Sequence, residues 1–71
     1  MVRFLIIIEK ENDNFSAYYP DLPGCVATGK TRKQTEDNMY EALETHVRGL
    51  IEDKMPIPES ETLAEYFAVA V

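Results

Sequence analysis

Only two side chains of strongly reactive type occur here, one thiol (Cys25) and one imidazole (His46). A nucleophilic thiol needs a positive, partly exposed setting and an adjacent base. Cys25 instead follows a glycine in a short apolar stretch, which suits a small buried hydrophobe. His46 stands between Leu43 and Leu50 in an apolar helical stripe, so it reads as a packed or interface histidine rather than a general base. Together they cannot close a structural zinc site, which takes four N/S ligands, and a single cysteine excludes an internal disulfide. The carboxylates are numerous, but most fall on the polar face of one helix. A two-metal nuclease site needs acids converging from several elements. The apolar strand Phe4–Ile8 supplies none, and only Glu9 and Asp21 approach the end of the expected sheet. No glycine-rich phosphate loop or nucleophile elbow is present. The expectation is a non-enzymatic chain without metal or cofactor.

Lys30, Arg32 and Lys33 form a small basic cluster at the start of the helix, while Glu52 and Asp53 close it. Both ends oppose the helix dipole. Pairs such as Arg32–Glu36, Lys33–Asp37 and Glu44–Arg48 compensate at i,i+4 spacing. The cluster reads either as a solvated face that tolerates a small cost or as a contact for something anionic.

The elements that must position these groups follow from periodicity. Val2 to Glu9 is β-branched, with no helical period, and reads as a strand over 2–9 buried on both faces. Glu11 to Asn14 make a polar turn of about four residues into a second strand over 15–19, an antiparallel hairpin. Phe15, Ala17 and Tyr19 share one face, Ser16 and Tyr18 the other. Pro20 ends that strand, and Pro23-Gly24 suits the centre of a type II turn. A short third strand over 24–29 follows. Thr31 is an N-cap, with Gln34 completing a capping box. Met39, Ala42, Leu43, His46, Val47, Leu50 and Ile51 then form one apolar stripe of a helix over 32–54, ended by Pro56 and Pro58. Residues 63–71 alternate as a fourth strand, giving β-β-β-α-β. The expected core is Phe4, Ile6, Ile8, Phe15, Ala17, Val26, Met39, Leu43, Val47 and Leu50.

With 71 residues the chain allows one domain, spanning 1–71. Seven basic against thirteen acidic side chains leave a net charge of −6. That balance disfavours unaided nucleic-acid binding and favours a basic protein partner. The apolar run at 4–8 is too short for a signal core or a membrane span, and the free thiol fits the cytoplasm. A chain this small has a marginal core. With no disulfide or metal, a second subunit is the expected support. The terminal strand suggests where: Phe67, Val69 and Val71 on one side, with Tyr66, Ala68 and Ala70 on the other, pairing with their counterparts in a closed homodimer or a tetramer.

The order Ile7-Ile8-Glu9-Lys10, a polar turn, Phe15–Tyr19, then Pro20-Asp21-Leu22-Pro23-Gly24-Cys25, Thr28, Gly29, Thr31 and an acidic amphipathic helix resembles the HicB-like antitoxin family. The exit Asp53-Lys54-Met55-Pro56-Ile57-Pro58-Glu59 is similar to that family's usual helix end. The resemblance implies an α+β, partial ribonuclease-H-like β-β-β-α-β fold, with a long helix on a mainly antiparallel sheet. It also implies that the chain covers the active site of a small basic mRNA-cleaving toxin (HicA-like, with a double-stranded-RNA-binding-type fold). Many members add a C-terminal DNA-binding module. A chain of 71 residues has no room for one, so no direct DNA binding is expected of it. Asp21, Glu36, Glu41 and Glu44 are the expected toxin contacts. Two other readings stand beside this one: a solitary oligomeric interaction protein with another partner, and a metal-dependent RNA nuclease.

Overall fold

A computed structural model describes residues 2–71 as three antiparallel strands and one long helix. Strand β1 spans Ile7–Glu11, β2 Asn14–Tyr18 and β3 Val26–Gly29, in sheet order β1-β2-β3. Helix α1 spans Arg32–Glu52. The α+β architecture agrees with the expectation. The β1–β2 connection is tighter than the sequence implies: Glu11 pairs with Asn14, leaving only Asn12 and Asp13 in the loop. Asn12 takes a positive φ of 26°, a conformation its short polar side chain tolerates.

Register decides which side chains meet the helix. Ile8 pairs with Ala17 and Ala17 with Ala27, so these three lie on one face. That face continues through Phe4, Ile6, Tyr19 and Cys25, and Met39 closes over it from α1. Ala17, Tyr19, Cys25 and Met39 are buried, and the Phe4 ring meets Tyr19 edge-on, with centroids 5.6 Å apart. Complete burial of a side chain such as Met39 contributes about 1.5–3 kcal/mol.

Val26, expected in the core, is instead 61% exposed. It pairs with Tyr18 on the outer face, and Cys25 takes the inward position. His46 is also exposed rather than packed. Its angular position on the stripe is inward, but strands of four or five residues reach only about 17 Å, while 21 helical residues reach about 31 Å. The distal helix overhangs the sheet, so His46 meets solvent there while Val47 and Leu50 are only half-buried.

Thr31 caps the helix as expected: its Oγ1 accepts from the Gln34 amide at 3.0 Å, and Gln34 Oε1 accepts from the Lys30 amide at 2.7 Å. At the other end Met55 N donates to Leu50 O (2.8 Å) and Lys54 N to Ile51 O (3.1 Å). With Lys54 at φ 56°, this is a Schellman close built on a non-glycine residue.

The expected fourth strand is not formed among the described residues. Residues 63–71 have no regular structure, and Leu63, Tyr66, Phe67, Val69 and Val71 are all strongly exposed. Residues 2–6 likewise stand outside the ladder, because Pro20 turns the chain away where β2 would have continued along them. A strand forms only where a neighbour satisfies its backbone, and neither segment has one here.

Candidate functional site

The turn after β2 is locked by backbone bonds. Tyr19 N donates to Cys25 O (3.1 Å), Leu22 N to Tyr19 O (3.1 Å) and Cys25 N to Leu22 O (3.3 Å). Leu22-Pro23-Gly24-Cys25 is thus the expected type II turn, with Gly24 at φ 89° where a side chain would be strained.

Asp21 is held by this turn and half-buried. Its Oδ1 accepts from Thr62 Oγ1 at 2.9 Å and from the Glu61 amide at 3.3 Å. One carboxylate oxygen therefore fixes a segment 40 residues away in sequence. Its Oδ2 and the Tyr19 hydroxyl are both buried without a hydrogen-bond partner among the described residues. Burial raises the Tyr19 hydroxyl above the usual phenol range, reinforced by the Asp21 carboxylate and then by Cys25. Burial also pushes the Cys25 thiol up, away from the reactive thiolate. This cluster is built to hold chain segments together.

The helix carries the second group of candidates. Glu36 bonds Arg32 at 3.5 Å and Glu44 bonds Arg48 at 3.3 Å, both at the expected i,i+4 spacing. Lys33 bonds Asp37 at 2.7 Å, and that bond raises the lysine pKa. Glu36 and Glu44 border the β1 side of the helix beside Tyr40. Glu41 lies about 60° further round from Glu44, facing outward. The structure thus sets three of the four expected contacts along one solvated helix flank, and turns Asp21 inward to the C-terminal segment. The carboxylates are spread along that flank, and no group of three or more potential metal ligands converges among the described residues. No helix among them is long and apolar enough to cross a membrane.

Between that flank and the N-terminal segment runs an apolar groove of about 450 Å³, lined by Val2, Phe4, Tyr40, Leu43, Val47 and Ile51. Val2, Tyr40 and Ile51 are each at least 60% exposed. The groove exists because the helix overhangs the sheet. Sequence periodicity puts Leu43, Val47 and Ile51 on the apolar stripe and Tyr40 on the other face, and gives no hint that they line one open groove.

The family model for a HicB-like antitoxin of bacterial toxin–antitoxin systems matches residues 4–70. The chain belongs to the HicB-like antitoxin family. A protein of Haemophilus phage HP1, described as an uncharacterized 14.9 kDa protein, is 38% identical over 61 residues, which is 86% of this chain but 46% of the phage protein. The chain therefore spans just under half the length of that relative. A UPF0150 protein of Synechocystis is 29% identical over 70 residues, covering 97% of this chain and 89% of its own. Among solved structures, a chain of a HicA3–HicB3 toxin–antitoxin complex superposes with a TM-score of 0.64 at 30% identity, over 83% of this chain and 69% of that one. The Pro20–Cys25 turn, the Thr31 cap and the acidic helix of the HicB-like chain all fall inside the matched region. Thr35, fully buried beneath the first helical turn, and the Asp21–Thr62 bond are the structural features that sequence reasoning missed. Position 35 shares the stripe of Met39, a signal that could have found the first. Nothing local could have found the second.

Proposed function

We propose that this HicB-like chain, as a single domain over 1–71, binds and neutralises a small basic mRNA-cleaving toxin by covering its active site, and does so in the cytoplasm without chemistry of its own. Family membership over residues 4–70 carries this reading. The acidic helix flank supports it, since a chain of net charge −6 attracts a basic partner and orients its approach. Glu36, Glu41 and Glu44 are the direct contacts. Asp21 assists by holding the turn and the segment beyond the helix in one arrangement.

Exposed charges act mainly on association rate, so single changes are mild and combined reversals severe. The test is co-expression with a HicA-family toxin from the same genome, scored by growth rescue and by a purified complex. The triple variant Glu36→Lys/Glu41→Lys/Glu44→Lys is compared at two salt concentrations after circular dichroism has confirmed its helix. Slower association and a weaker salt dependence are expected. Absence of both rescue and complex for the unaltered chain defeats the reading. Unchanged salt dependence in the triple variant removes its electrostatic part.

A further inference from the structure

Sheet order β1-β2-β3 leaves β3 at an edge, and backbone alternation decides which of its groups face out. Tyr19 N donates to Cys25 O, and the pairs Ala17–Ala27 and Phe15–Gly29 continue that bonded set two residues at a time. Cys25, Ala27 and Gly29 therefore bond β2. Val26 and Thr28 turn their N–H and C=O groups away from it. Val26 is 61% exposed, and Thr28 is exposed as well. A free edge of this kind is a template for any extended chain.

Helix α1 meets that edge with two side-chain amides. Asn38 Nδ2 donates to Thr28 O at 2.8 Å, and Gln34 Oε1 accepts from the Lys30 amide at 2.7 Å. Gln34 and Asn38 stand at i,i+4, on one side of the helix. The reciprocal bond of a capping box goes to the amide of the N-cap itself, here Thr31. Gln34 instead reaches one residue further back, to the end of the strand. Both side chains are exposed, so packing does not hold them in place. The C=O and the N–H that they take lie two positions apart. That is the pair a single residue of a parallel strand takes from its neighbour.

We infer that Gln34 and Asn38 guard the sheet edge: their amides stand in for one residue of an incoming strand and deny β3 to strand addition by other chains. The guard needs an acceptor at 34 and a donor at 38, because the edge offers an amide to the first and a carbonyl to the second. The outward groups left over belong to Val26 and the Thr28 N–H. They span two residues, below the usual strand length of about 3–10.

The guard is tested on full chains by thioflavin T fluorescence and light scattering, with circular dichroism on the same samples. Gln34→Ala/Asn38→Ala is expected to shorten the lag of β-rich association severalfold relative to the unaltered chain. Alanine is the better helix former at both positions, so lower helix propensity does not account for that change. Adding Val26→Pro is expected to restore the lag, because proline removes an outward N–H and leaves the β2 ladder intact. Val26→Lys should do the same through charge on the edge. In the folded chain Gln34→Ala should speed exchange of the Lys30 amide severalfold, whereas Gln34→Glu keeps the acceptor and should not. A double variant that keeps its helix and associates no faster than the unaltered chain overturns the inference. Association that neither Val26 substitution slows overturns it too, since another surface then carries it. If the double variant loses its helix, Asn38→Ala alone is held to the same two criteria.

Discussion

Gly29 and Thr35 stand closer together than any side chain on residue 29 would allow. A Cβ built at Gly29 would lie 2.6 Å from Thr35 Oγ1 and 2.8 Å from the Thr35 amide nitrogen. Thr35 cannot withdraw, because its hydroxyl donates to Thr31 O at 2.8 Å and its amide bonds the same oxygen at 3.0 Å. The contact sets the distance between β3 and the first turn of α1.

Gly29→Ala is therefore expected to destabilise the fold by about 1–3 kcal/mol, the usual cost of overpacking a rigid contact. Urea unfolding should show a lower midpoint with an unchanged slope. Full wild-type stability would mean that the helix and sheet can separate at no cost.

Lys54 offers the opposite case. It takes φ 56° in the Schellman close, where glycine carries no steric penalty. Lys54→Gly is expected to stabilise by about 1 kcal/mol, the cost of left-handed geometry for an ordinary residue. The gain should appear as slower amide exchange in the last helical turn.

The Tyr19 hydroxyl and the Cys25 thiol both hold their protons above the ordinary range in the fold. A group whose folded-state pKa is raised contributes stability that is complete below its unfolded pKa and is lost as pH rises through the folded one. Stability should therefore be level through neutral pH. It should begin to fall from about pH 8.5, the unfolded thiol value, and fall further above about pH 10, the phenol value. Tyr19→Phe should remove the upper step and Cys25→Ala the lower, as read from unfolding midpoints across the alkaline range. A fall beginning below pH 7 would point to other groups.

Asp21→Asn keeps the Oδ1 acceptor that holds Thr62 and Glu61, while Asp21→Ala removes it. Exchange of the Glu61 amide should accelerate severalfold in the alanine variant and little in the asparagine variant. Equal acceleration in both would show that the carboxylate charge, not the acceptor geometry, holds the segment.

The most legible parts of the fold were those fixed by neighbours in sequence. Thr31 with Gln34, the Pro23-Gly24 turn, the paired charges at i,i+4 and the Met39–Leu43 face all depend on contacts a few residues apart, and all were found. Parity was harder. The run Phe4–Ile8 is apolar at every position, so nothing in it says where pairing begins, and β1 starts at Ile7 rather than Val2. Cys25 is buried as its apolar setting predicts, and alternation from it turns Val26 outward, against the expectation that Val26 is core. His46 is not packed within the chain, because periodicity reports direction around a helix and not how far the sheet extends beneath it. The place of Glu36, Glu41 and Glu44 on the polar face of the helix could be read from spacing. The inward turn of Asp21 could not, because its partners lie 40 and 41 residues away.

The overhang of α1 turns a single helix into two regimes. From Arg32 to Leu43 it is bolted to the sheet through Thr35 and Met39, so its hydrogen-bonded amides beyond the first turn are expected to exchange slowly. From Thr45 to Glu52 no residue is buried and only Val47, Gly49 and Leu50 are half-buried, and short helical stretches with so little packing are marginal in water. The free chain should show a gradient of exchange protection falling along one continuous element. Whatever seats in the groove beside Val47 and Ile51 would flatten that gradient, so the distal turns act as a built-in gauge of occupancy.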